Sequence, residues 1–184
     1  MKLSKPILQS SAPRDLLRIA IGAAFLAFCS WFSIPFPIPF TLQLFCVYLL
    51  NFLFGGRKAL LSVSIYLLLG ALGVPVFSGF QGGIGHLIGP LGGFLIGMLL
   101  ICLVCCFKGL KPWVLAAIGT LLCYALGAVW FFLLGQSETT FGAILFSMVL
   151  PFLPLDALKL YLSHLVSKRL LPRLEEGGFH AAKE

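Results

Sequence analysis

The sequence predicts an all-α membrane protein: six transmembrane helices, both termini on the cytoplasmic side, and one compact bundle. Three observations predict it. Of 184 residues, 60% are hydrophobic and only 10% charged. The apolar runs reach the roughly 20 residues that span a bilayer. The charges sit where membrane topology would put them. Lys2, Lys5, Arg14 and Arg18 precede or open the first run, Arg57 and Lys58 follow the second, Lys108 and Lys111 the fourth, and Lys168, Arg169, Arg173 and Lys183 the last. The alternate connections, 34–40, 74–90 and 135–140, hold no Lys or Arg. The positive-inside rule then gives an even number of spans. This distribution also accounts for the net charge of +7 without nucleic acid.

The domain reading is a tail over 1–15, a membrane domain over 16–168 and a second tail over 169–184. Span 1 covers 16–33. Its Ala20/Ala24 and Ala23/Ala27 are small-x-x-x-small pairs, which allow close helix approach inside the bundle or against a partner membrane protein. No small-residue cleavage site accompanies Cys29, so this span reads as retained. Residues 34–40 alternate prolines at 35, 37 and 39 and are expected to be extended, outside lipid or lining a cavity. Span 2, 41–54, is short, and Gly55 to Lys58 reads as a tight turn. Span 3 covers 59–73.

Residues 74–93 are glycine-rich yet mostly apolar, unlike a disordered linker. Glycines there permit tight turns and close backbone approach to a ligand. Gln81 and His86 are its notable polar side chains; His86 reads as a loop-surface residue or a ligand contact, and nothing beside it suggests a metal site. Span 4 covers 94–107. Span 5, 112–134, carries Trp113 and Trp130 near its ends, as an aromatic belt does. Span 6 covers 141–166, bent or broken by Pro151 and Pro154. A helix restarting near Pro154 would put Asp156 in its first turn, where the dipole favours a carboxylate. The segment after Leu171 is expected to be loose.

Asp156 and Lys159 carry the chemistry. A charge at the centre of a lipid-facing helix costs roughly 2.5–3.5 kcal/mol on insertion scales. These two share a helix face, which Phe152 and Ser163 continue. Lys159 is also the only one of the 13 basic residues away from a cytoplasmic edge. The pair can be a structural ion pair, a proton or ion relay, a Ser–Lys dyad formed by Lys159 with Ser163, or a recognition site. In the last case Lys159 donates to a carbonyl oxygen and Asp156 accepts from a flanking N–H, the pattern of a ureido group. The six cysteines lie in or beside spans, and Cys102-x-x-Cys105 lacks His or carboxylate companions, so they read as small apolar residues. No metal and no cofactor are expected. No G-x-x-x-x-G-K-[ST] segment occurs, so ATP hydrolysis would need a partner.

Three segments, in this order, resemble the BioY family, the biotin-binding S components of energy-coupling factor (ECF) transporters. Pro37-Ile38-Pro39-Phe40-Thr41-Leu42-Gln43 is similar to its P-x-P-x-T-L-Q segment. Gly73-Val74-Pro75-Val76-Phe77-Ser78-Gly79, continuing through Gly82-Gly83 to Gly89-Pro90-Leu91-Gly92-Gly93, is similar to G-x-P-V-F-x-G … GG … GPTGG. Pro154-Leu155-Asp156-Ala157-Leu158-Lys159 is similar to PGD-x-x-K.

The resemblance implies a six-helix, multi-pass protein of the cytoplasmic membrane with an outward-facing pocket for biotin, and no enzyme activity. It implies that Asp156 and Lys159 grip the ring, that Gln81 beside Gly82 and Gly83 also reaches it, and that Gln43, Phe36, Phe40 and Phe77 form walls. The expected partners are a T component docked on Ala20, Ala23, Ala24 and Ala27, and ABC-type ATPases. Leu91 and Leu155 depart from the family's Thr and Gly. Some members carry an Arg suited to the biotin carboxylate where this chain has Phe94-Leu95-Ile96, which leaves His86 as a candidate for that role. The alternatives are an S component for another vitamin and an intramembrane hydrolase using Lys159 and Ser163.

Overall fold

The computed structural model describes residues 12–34, 40–107, 109–134, 142, 146 and 149–176. Helix α1 spans Ala12–Trp31, α2 Gln43–Phe54 and α3 Gly56–Ala71. A 3-10 turn at Ser78–Phe80 and a short α4, Ile84–Ile88, follow. Then come α5 (Gly92–Val104), α6 (Pro112–Leu133) and α7 (Phe152–Glu176). Among the described residues the only ladder is the pairing of β1 (Ser33–Ile34) with β2 (Phe40–Thr41).

Local chemistry explains the boundaries. Pro112 opens α6 at a position whose N–H has no intrahelical partner in any case. A single residue, Gly55, joins α2 to α3 at φ 82°, ψ 160°, a conformation open to glycine. The expected turn over Gly55 to Lys58 is therefore shorter, and Arg57 and Lys58 belong to the first turn of α3. Lys58 reaches across to Asp15 at 2.9 Å, and Arg18 meets the same carboxylate at 3.0 Å, tying α1 to α3. The expected extended segment over 34–40 enters and leaves as paired strands, Ser33 opposite Thr41 and Ile34 opposite Phe40. Phe36 lies outside the described residues.

Helix α2 is central, packing on α1, α3, α5 and α7. Cys46, Val47 and Tyr48 on it are buried with Leu26, Tyr66 and Ile101. The tightest seam joins α5 to α6. A Cβ on Gly97 would lie 2.7 Å from Cys123 Sγ, and one on Gly119 would lie 2.6 Å from Ile101 Cα. Two backbones approach this closely only through small residues. Trp130 is part of that seam: its ring packs on Gly93 and its Nε1 donates to the Gly89 carbonyl at 3.1 Å. It is thus a packing residue, while Trp113, at the other end of α6, is exposed.

The outside of the bundle is hydrocarbon. Leu61, Ile65, Leu68 and Leu72 form one exposed face of α3, and Leu155, Leu158, Leu162 and Leu165 do the same on α7. Faces this apolar belong against lipid. Among the described residues α6 is long and apolar enough to cross a membrane, while α2 and α5 are apolar but shorter.

Helix α7 differs from expectation at both ends. It begins at Phe152, so Pro154 falls in its first turn, where a missing N–H costs no helical bond. Asp156 lies beyond that turn and depends on side chains rather than on the helix dipole. The helix also runs past Leu171 to Glu176.

Candidate ligand-binding site

Asp156 and Lys159 lie on the buried face of α7, 4% and 6% exposed. Lys159 Nζ donates to Asp156 Oδ1 at 2.6 Å. Tyr124, from α6, donates its hydroxyl to Asp156 Oδ2. Both carboxylate oxygens therefore hold a donor, and each keeps acceptor capacity. The Phe40 ring covers the ammonium from the other side, 3.9 Å from Nζ to centroid. The pair is held in register by three elements: α6, α7 and β2.

These groups face a cavity of about 90 Å³. Its apolar wall comes from Leu44, Leu91, Phe94, Leu95, Met98 and Phe152. Its polar wall comes from Thr41, Gln43, Ser78, His86, Cys123 and Tyr124 with the ion pair. An apolar cavity with a few convergent polar groups is the usual form of a small-molecule site. A second cleft, about 440 Å³, opens at the other end of the bundle, between the α2–α3 junction and Lys168. It is larger but contains no ion pair.

The remaining expected residues divide. Gln43 lines the cavity, but its amide is partly committed: Nε2 donates to the Tyr66 hydroxyl, and Oε1 accepts from Thr41 Oγ1 at 3.0 Å. His86 also lines it, stacked on Phe77 with centroids 5.1 Å apart. His86 lies in the α3–α5 connection, and burial lowers its pKa from the usual histidine value. Phe77 is fully buried behind His86, edge-on to Tyr66, and does not itself line the cavity.

Gln81, Gly82 and Gly83 shape the loop instead of meeting the cavity. Gln81 is exposed, and its carbonyl accepts from Phe77 N–H at 2.9 Å. A Cβ on Gly82 would collide with the Val74 carbonyl at 2.5 Å. Gly83, at φ 99°, donates to the Gly70 carbonyl at 2.7 Å. The end of α1 fixes the same loop. Ser30 bonds the Val76 carbonyl, Trp31 Nε1 bonds the Pro75 carbonyl at 3.0 Å, and the Trp31 ring stacks on Phe80. Of the alanine pairs, Ala23 and Ala27 are buried in the bundle, while Ala20 and Ala24 face outward.

Sequence reasoning missed Tyr124, the second partner of Asp156. The available signal was a phenol inside an apolar span, since a buried hydroxyl needs a partner. Ser163 and Lys159 do not form a dyad. Ser163 Oγ donates to the Leu160 carbonyl at 2.8 Å, and Lys159 is held by Asp156.

A helical bundle sheathed in exposed hydrocarbon, with a buried ion pair facing a pocket, is a ligand-binding membrane protein. The chain belongs to the BioY family, whose model matches residues 3–176. It is 37% identical over 164 residues to "Biotin transporter BioY" of Thermotoga maritima, covering 85% of this chain and 95% of that one. It is 35% identical over 135 residues to "Probable biotin transporter BioY" of Pyrococcus horikoshii, covering 73% and 81%. Among solved structures it resembles the S-component for biotin from an ECF-type ABC transporter. That likeness has a TM-score of 0.79 at 25% identity, over 89% of this chain and 94% of the other.

Proposed function

We propose that this chain captures biotin at the outer face of the cytoplasmic membrane, as the S component of an ECF-type transporter without catalysis of its own. One observation carries the reading: the Lys159–Asp156 pair, buried but facing the cavity. A buried ion pair seldom stabilises a fold beyond what apolar packing would. A donor and an acceptor held side by side suit a ligand that presents a carbonyl beside an N–H. Biotin's ureido ring does so. Lys159 donates to its oxygen and Asp156 accepts from its nitrogen. Tyr124 and Phe40 keep the two heads in place. The biotin-transporter names of the relatives and the solved biotin S-component support the same reading.

The finer architecture is part of the proposal. Six spans run with both termini inside, on the strength of the basic residues at alternate connections. A T component docks on α1 through Ala20 and Ala24, the small residues that α1 leaves exposed. ATPases in the assembly supply the energy. The test is equilibrium binding of radiolabelled biotin to the purified chain, with competition by other vitamins. Tight binding displaced by biotin alone is expected. Displacement by an unrelated vitamin at lower concentration would move the assignment to that vitamin.

A further inference from the structure

We propose that His86 receives the ligand's carboxylate, and that its protonation sets how strongly an acidic ligand is preferred over a neutral one. This rests on the biotin reading and deepens it. Biotin carries, besides its ring, an apolar chain ending in a carboxylate. With Asp156 and Lys159 compensating each other, the cavity has no net charge to offer that group. A buried carboxylate without a donor is strongly disfavoured.

Counting donors leaves few choices among the described residues of the lining. Lys159 gives one hydrogen to Asp156 and, in the biotin reading, another to the ring oxygen, while Tyr124 donates to the same Asp156 carboxylate. Thr41 donates to Gln43, and Gln43 gives one of its two amide hydrogens to Tyr66. Cys123 Sγ is directed at the Phe94 carbonyl at 3.5 Å. The second Gln43 N–H, Ser78 and His86 remain, the last two on the segment joining α3 to α5. Only His86 can gain a charge. Its ring is already oriented, stacked on Phe77 at 21° between planes.

The sign follows from the surroundings. Among the described residues, the titratable groups that share the cavity or its Phe77 backing with His86 are Tyr66 on α3, Cys123 and Tyr124 on α6, and the compensated Asp156 and Lys159 on α7; α5 and the 3-10 turn add none to the lining. Burial lowers the His86 pKa from the usual histidine value and so favours the neutral imidazole in the empty pocket. In that form it gives the carboxylate one hydrogen bond, assisted by the ligand's charge alone. As the pH falls the imidazole gains its own charge and the bond becomes an ion pair, which is stronger. Binding an acid therefore draws a proton onto His86 and tightens with falling pH, until the ligand's own carboxylate titrates near about 4.3. A neutral ligand gains less, because its amide oxygen carries no charge to pair with the imidazolium.

The test compares biotin with biotinamide on the purified chain between about pH 7.5 and about pH 5.5. In the wild type the preference for biotin is expected to rise by about threefold or more as the pH falls. His86→Gln keeps a donor but cannot charge, so its preference for biotin over biotinamide should stay flat across the same pH range. A flat wild-type preference with tight biotin binding overturns the role of His86 and leaves the biotin reading intact. So does an unchanged pH slope in His86→Gln. Equal loss of both ligands in that variant also overturns the role, making His86 a packing residue. If the wild type binds neither ligand, both readings fall.

Discussion

Replacing Asp156 by Asn and Lys159 by Met, singly and together, separates recognition from structure. Each single change leaves one buried charge without its partner, at a cost of about 3–5 kcal/mol. After Asp156→Asn the ammonium would retain little beyond the Phe40 ring, a contact of about 0.5–2 kcal/mol. The double variant removes both charges, and Met fills the volume of the lysine stem. Removing both charges together leaves neither one buried without a counter-ion, and the Asn oxygen can keep the Tyr124 hydroxyl, so the double change should be close to neutral. Ligand affinity follows the opposite course. Two hydrogen bonds to charged groups, each about 1.5–3 kcal/mol, are lost in the double variant. Affinity should drop by about a hundred- to ten-thousand-fold. The assays are the thermal unfolding transition in detergent and radiolabelled biotin binding, on the same preparations. The expected result is a double variant that melts close to the wild type and does not bind. Binding within tenfold of wild type, or a double variant as unstable as either single, would refute the reasoning.

Four further outcomes are expected. Tyr124→Phe removes one donor from Asp156 while keeping the ring, so binding should weaken by about tenfold or more in titration calorimetry with folding intact. Phe40→Ala should weaken binding several-fold through the lost cation–π contact, about 0.5–2 kcal/mol, and Phe40→Trp should retain it. Ser163→Ala should leave biotin uptake by cells unchanged, because its hydroxyl is spent on the Leu160 carbonyl. Gly97→Val should lower the melting transition by about 1–3 kcal/mol or more and weaken binding, because it forces α5 from α6 and displaces the Leu95 and Met98 wall.

The helices and their order were legible because apolar runs and the prolines between them mark helix boundaries in the sequence itself. Asp156 and Lys159 were legible for a related reason: charge inside an apolar run is rare enough to stand out in one dimension. Gln81 shows where such reading stops. A polar residue beside two glycines suggests a ligand contact, but the loop's own backbone bonds, Phe77 to Gln81 and Gly83 to Gly70, turn this segment outward. Trp130 is a similar case. Its position at a helix end suggests the membrane interface, while Gly93 and the Gly89 carbonyl draw it into the α5–α6 seam.

Composition, the spacing of basic residues and one acid–base pair in an apolar run were enough to determine a membrane bundle and the two charges at its centre. Those are properties of residue type and interval, which a linear chain carries openly. Which hydroxyl steadies Asp156, which ring covers Lys159 and which side chains remain free to meet a ligand were decided by the tertiary structure. Tyr124, Phe40 and His86 come from distant parts of the chain. Only the packing of α2 among its neighbours, and the α5–α6 seam whose glycines leave no room for side chains, bring them to one cavity.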